Sequence, residues 1–143
     1  CEFIQRELQK IGLKVSIEVM PPSSLKSAKS NGKLDLFRAS WVADYPDAQN
    51  YLSLFYSKNF APNGPNYTHF KNPEFDSWYE KAMQETDTDS RIILYKKMDS
   101  LVIEKAPVVV LFYDEVIRFT LANVNGLGIN PTNLLEVKNV RKN

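Results

Sequence analysis

The stretch from Trp41 to Phe70 is where this sequence gathers groups suited to recognising a ligand. It holds eight of the seventeen aromatic side chains: Trp41, Tyr45, Tyr51, Phe55, Tyr56, Phe60, Tyr67 and Phe70. Two carboxylates, Asp44 and Asp47, fall inside it, and Lys58 is its only Lys or Arg. Aromatic walls with a few placed polar groups describe a small-molecule cleft. A loop-rich mini-core, in which aromatics bury area beneath long connections, accounts for the same composition. Just ahead of the stretch, Arg38 adds a guanidinium whose forked donors suit a carboxylate.

Other chemistries find little material. His69 is the only histidine, so neither a His-pair metal site nor a His-based triad can be assembled. One cysteine excludes a disulfide framework, and five glycines could barely build a phosphate-cradling loop. Eighteen basic against seventeen acidic side chains leave a net charge of +1, without the basic excess of a nucleic-acid binder. The longest apolar run, Val108 to Tyr113, is strand-sized, far from the roughly 18 residues of a membrane span. Asn66-Tyr67-Thr68 fits a glycosylation sequon and is taken as chance. A glycosidase is the enzyme alternative, since aromatics also stack on sugars; it needs a second carboxylate about 5–10 Å from Asp44. The preferred reading has no catalytic residue, no metal and no cofactor.

The elements that must position these groups follow from periodicity. Phe3, Ile4, Leu8 and Ile11 share a helical stripe that Gly12 terminates. Leu13 to Met20 alternates as a half-buried strand does, and Pro21-Pro22 ends it. Ser23 or Ser24 is suited to cap a short helix through Leu25 and Ala28, closed by Asn31-Gly32. Leu34 to Ser40 reads as a second strand, so the helix–strand–helix–strand order implies a parallel, crossover-connected sheet. Asp47 reads as the cap of a helix from Ala48 to Tyr56. Asn72-Pro73-Glu74 starts a helix bearing Phe75, Trp78, Tyr79, Ala82 and Met83, which breaks at Thr86 to Asp89. A longer helix follows with Ile92, Leu94, Tyr95, Met98, Leu101 and Val102 as core, halted by Pro107. Val108 to Tyr113 is apolar on both faces like a central strand, and Val116 to Leu121 follows as another. Asn125-Gly126 and Asn130-Pro131 punctuate an irregular tail of the kind that packs against something else. Cys1 occupies the position of a lipidated cysteine, but Glu2 to Leu8 runs straight into a helix with no polar tether. The chain is therefore expected to begin in mid-structure, as an excised fragment.

Position favours a ligand cleft at Trp41, because ligands of open α/β sheets bind beyond the carboxyl ends of strands. The string from Asp35 to Asp47, with Trp41-Val42-Ala43-Asp44-Tyr45 at its centre, resembles the central motif of the family 5 (oligopeptide/dipeptide-type) solute-binding proteins of ABC importers. Ile4-Gln5 through Ile11-Gly12-Leu13-Lys14-Val15 resembles the family's lead-in. Asn66-Tyr67 and Asn72 to Asp76 resemble the stretch after the motif. Arg91 with Leu94-Tyr95, then Ala106-Pro107-Val108-Val109, resembles its closing helix and strand.

The resemblance implies an α/β, periplasmic-binding-protein-like (type II) lobe, a mixed sheet flanked by helices, present here as a partial domain. Residues 1–115 would form most of the second, C-terminal lobe, and residues 116–143 the return strand and tail crossing back to a first lobe. It implies capture of a short peptide between two lobes, docking on an ABC permease, and a periplasmic or cell-surface location with no nucleic acid involved. Asp44 matches the aspartate that holds the ligand α-ammonium, and Arg38 an arginine that in some relatives helps with the ligand carboxylate. Trp41 and Tyr45 would complete the ligand-binding set. Each has a plainer reading: a turn or cap acid for Asp44, an ion pair with Asp35 for Arg38, a core side chain for Trp41. Relatives on the same scaffold bind nickel complexes, haem or oligosaccharides, which gives the alternative ligands.

Overall fold

The computed structural model describes residues 1–130 and 132–143. Helix α1 spans Glu2–Lys10, and Gly12 beyond it adopts φ +87°, the left-handed conformation that glycine enters without strain. Helix α2 spans Pro22–Ser30. No serine caps it; Pro21 stands at the cap position and Pro22 starts the helix, its fixed φ being already helical. Asn31 and Gly32 close it as expected.

Helix α3 is shorter than the expected Ala48 to Tyr56: it covers Gln49–Leu52 and tightens into a 3₁₀ turn over Ser53–Phe55, with a second such turn at Ser57–Asn59. Helix α4, Pro73–Gln84, starts as read: Asn72 Oδ1 accepts from the backbone N–H groups of Glu74 and Phe75 at 2.9 and 3.0 Å. Helix α5, Thr88–Lys105, is capped by Asp87, which accepts from Ser90 N. That bond holds the Asp87 carboxyl below its ordinary range.

The core lies where α3, α4 and α5 meet. Phe75 and Met98 are fully buried, with Leu52, Tyr79, Ala82, Tyr95, Leu101 and Val102 around them. Burying a side chain of this size contributes about 1.5–3 kcal/mol. Phe55 and Phe70 meet Phe75 edge-on, and Tyr56 stacks on Tyr79 at 4.5 Å between ring centroids. The bridge between these rings and the loop is Asn66, which is completely buried. Its Nδ2 donates to the carbonyls of Tyr56 and Phe70, and its Oδ1 accepts from Thr68 Oγ1 and Phe70 N. So engaged, Asn66 is no glycosylation acceptor. Gly64 completes the loop, since a Cβ there would stand 2.4 Å from the Asn59 carbonyl oxygen.

The strands depart from expectation. Among the described residues the one sheet is an antiparallel pair, β1 (Val124–Asn125) with β2 (Arg141–Lys142), in register Val124 to Lys142 and Asn125 to Arg141. Leu13 to Met20, Leu34 to Ser40, Val108 to Tyr113 and Val116 to Leu121 form no ladder. The physical reason is that a strand exists only as part of a pair, and none of the described residues supplies these segments with a neighbour. Their apolar side chains stand in the open accordingly: Val19, Val109, Tyr113 and Phe119 are 91%, 80%, 85% and 92% exposed.

Candidate functional site

The four residues singled out at Arg38 to Tyr45 lie on a segment without regular structure that leads into α3. α3 secures it at two points. The Trp41 indole N–H donates to Asn50 Oδ1 at 2.6 Å, and Asn50 is only 3% exposed. The Tyr45 hydroxyl donates to Gln49 Oε1, while Gln49 Nε2 donates to the Tyr79 hydroxyl on α4. Both rings remain partly open, Trp41 at 37% and Tyr45 at 43% exposure. Trp41 is therefore neither a buried core side chain nor a free one.

The two acids separate into different roles. Asp47 is engaged: its Oδ1 accepts from the N–H of Gln49, the first residue of α3, at 2.8 Å, and its Oδ2 lies 3.6 Å from Arg91 Nη2 on α5. Tyr95 stands beside this pair; burial, and then the Asp47 carboxylate, pushes its hydroxyl up to about 12. Asp44 is exposed, and among the described residues it makes no hydrogen bond or ion pair. The expected cap role of Asp47 is not met: the cap position is Ala48, because the helix begins only at Gln49, and the Asp47 carboxylate closes a turn one residue before it. Arg38 is exposed as well and forms no ion pair with Asp35.

Gln49 and Asn50 are the residues that sequence reasoning missed. The available signal was two successive carboxamides at the start of a helix whose other side chains are apolar. The aromatics divide by position: Phe55, Tyr56 and Phe70 pack against the core as a loop-rich mini-core would, whereas Trp41 and Tyr45 border open surface. Concave surface lies elsewhere, between α4 and α5 beside Trp78 and around Arg118. Among the described residues no three His, Cys, Asp or Glu side chains cluster as a metal-binding set would.

The comparisons with known proteins point to binding proteins. Residues 1–63 match the family model described as bacterial extracellular solute-binding proteins, family 5 Middle. The sequence is thus similar to the family 5 solute-binding proteins over the first part of its length. Di/tripeptide-binding protein 4 of Pseudomonas aeruginosa is 28% identical over 131 residues, covering 92% of this chain and 25% of its own length. Among solved structures, the ABC transporter-associated periplasmic binding protein DppA of Helicobacter pylori, in complex with the peptide STSA, is 31% identical. That match covers 74% of this chain and 21% of DppA, with a TM-score of 0.69. The dipeptide-binding protein of Pseudoalteromonas sp. SM9913, in complex with Met-Leu, is 27% identical and covers 99% of this chain and 28% of its own, with a TM-score of 0.76.

The chain spans about a quarter of the length of the curated relatives it matches. The likeness in structure bears out the type II periplasmic-binding-protein fold class, here as a partial domain of helices and a small sheet. These relatives are binding proteins rather than enzymes.

Proposed function

We propose that this chain is part of the substrate-binding component of a peptide ABC importer, with Asp44 holding the α-ammonium of a short peptide. The observation that carries the reading is that Asp44 stands exposed, and unpaired among the described residues, between Trp41 and Tyr45, which are both tied to α3, while the neighbouring Asp47 is committed to structure. Every peptide offers that cation whatever its sequence, so a fixed carboxylate recognises the class and not the member. A charge-assisted bond of this kind contributes about 1.5–3 kcal/mol in a partly dry site. Backbone of the extended ligand then pairs with extended protein backbone, leaving side chains to tolerant pockets. Arg38, which makes no ion pair among the described residues, would take a carboxylate at another point of the ligand.

In this reading residues 1–115 belong to the second lobe, residues 116–143 cross back to the first, and the ligand lies between the lobes. The complete protein works outside the cytoplasmic membrane and delivers its peptide to a membrane permease. The test is Asp44→Asn in the full-length protein. It is expected to weaken peptide binding by about 1.5–3 kcal/mol with little change in melting temperature. N-acetylated peptides should bind the parent protein poorly. Equal titration of free and acetylated peptides sinks the proposal.

A further inference from the structure

Helix α3 is four residues long, yet its first two residues hold both ends of the segment that carries Asp44. Asn50, nearly inaccessible, takes the Trp41 indole N–H on Oδ1 at 2.6 Å. Its own backbone is fixed too, with its N–H donating to the Asp47 carbonyl and its carbonyl accepting from Ser53 Oγ. Gln49 accepts the Tyr45 hydroxyl on Oε1 and donates through Nε2 to the Tyr79 hydroxyl, which joins the segment to the buried face of α4. Asp44 sits between these anchors and makes no side-chain bond among the described residues. Residues 34–46 have neither helix nor ladder to fix them, so side-chain ties determine where that carboxylate stands.

We infer that Gln49 and Asn50 are positioning residues for Asp44: without touching the ligand, they fix Tyr45 and Trp41 and so set the place of the carboxylate between them. The inference rests on the peptide reading of Asp44 and extends it. A plainer account is that the two amides only stabilise α3. The accounts differ in what their loss does. A destabilised fold weakens binding of every ligand alike, whereas a displaced carboxylate removes the preference for a free amine and spares the remaining contacts.

The experiment uses the full-length protein that contains this chain, a mixed tripeptide pool and the same pool N-acetylated. The quantity read is the ratio of the two affinities. In Asn50→Leu and in Gln49→Met that ratio is expected to fall about tenfold, with Gln49→Met covering the case in which the buried Asn50 change prevents folding. Gln49→Glu keeps an acceptor for both tyrosine hydroxyls and is expected to retain the parent's ratio within about twofold. Trp41→Phe combined with Asn50→Leu should lose no more discrimination than Trp41→Phe alone, because Asn50 acts through the indole. An unchanged ratio in both Asn50→Leu and Gln49→Met, or equal losses for the two pools, overturns the positioning role while leaving the peptide reading intact. A parent protein that takes both pools equally, or neither, overturns the peptide reading itself and this inference with it.

Discussion

Arg91 on α5 places its Nη2 3.6 Å from the Asp47 carboxylate, so the long helix reaches across to the turn that precedes α3. The pair is about a third exposed on each side. Such a pair contributes only about 0–1 kcal/mol. Against it stands the Arg91 Nε, buried and without a partner, and an unpaired buried donor costs about 1–3 kcal/mol. The two effects nearly cancel. Arg91→Met, which keeps the stem and drops the charge, should therefore shift unfolding by no more than about 1 kcal/mol in a urea titration. A loss of several kcal/mol would mean that the ion pair, and not the packing of α5, holds α3 in place.

The same junction gives a pH dependence. Tyr95 has its hydroxyl raised to about 12, first by burial and then by Asp47, against an ordinary value near 10 in the unfolded chain. A raised value means that the folded state keeps the proton longer. The stabilisation is complete below pH ~10 and is lost as pH rises through about 12. Melting temperature measured from pH 9 to 12 should fall across that window, and Tyr95→Phe should flatten part of the fall. Tyr79 is also raised by burial, so the slope should not vanish altogether.

At the start of α4, Asn72 satisfies two of the orphan N–H groups that open every helix. Asn72→Ala should cost about 1 kcal/mol, within the usual span of 0.5–2 for a lost cap. Phe75 is fully buried two positions into the helix, and Phe75→Ala should cost about 3–5 kcal/mol. Urea midpoints of the two variants therefore separate a cap from a core contact, and equal losses would contradict the packing described.

These helices were legible because their information is local. Asn72-Pro73-Glu74 names a helix start by side-chain chemistry alone, and Tyr95, Met98, Leu101 and Val102 recur at the spacing of one buried face. The segments Leu13 to Met20 and Val108 to Tyr113 carry equally good strand patterns and form no strand here, because pairing is a property of two segments and the pattern describes only one. At the candidate site the types and order of Trp41, Asp44 and Tyr45 are visible in the sequence, and so is an acid at the approach to α3, though Asp47 binds the Gln49 N–H from one residue before the cap position. The ties through Gln49 and Asn50 are not visible there, since a hydrogen bond across nine residues depends on a turn that composition does not specify.

The open apolar segments lead to a prediction about exchange. Ile117 and Phe119 are 75% and 92% exposed, and residues 108–121 lend their backbone to no helix or ladder. Hydrogen exchange on the 143-residue chain should be fast from 108 to 121 and slowest at Tyr79, Met98 and their neighbours in α4 and α5. On the two-lobe proposal the same segment has strands to pair with in the full-length protein and should become protected there. Slow exchange over 108–121 in a monomeric sample of the isolated chain would contradict the assignment of these residues to a sheet completed elsewhere.

The last prediction is that the isolated chain folds and scarcely binds. Its core of α3, α4 and α5 is complete enough for folding, with Phe75 and Met98 fully covered. Asp44, however, faces water, where an ion pair with a free amine is typically worth only ~0–1 kcal/mol. Association costs several kcal/mol in translational and rotational freedom, so a single exposed contact cannot hold a peptide tightly. On the two-lobe proposal the remaining contribution comes from a second wall that desolvates the ammonium and engages the rest of the ligand. Calorimetry of the isolated chain with di- to pentapeptides should accordingly detect nothing tighter than about millimolar, near −4 kcal/mol. Micromolar binding by a monomeric sample would place a complete site within these 143 residues and refute the division of the ligand between two lobes.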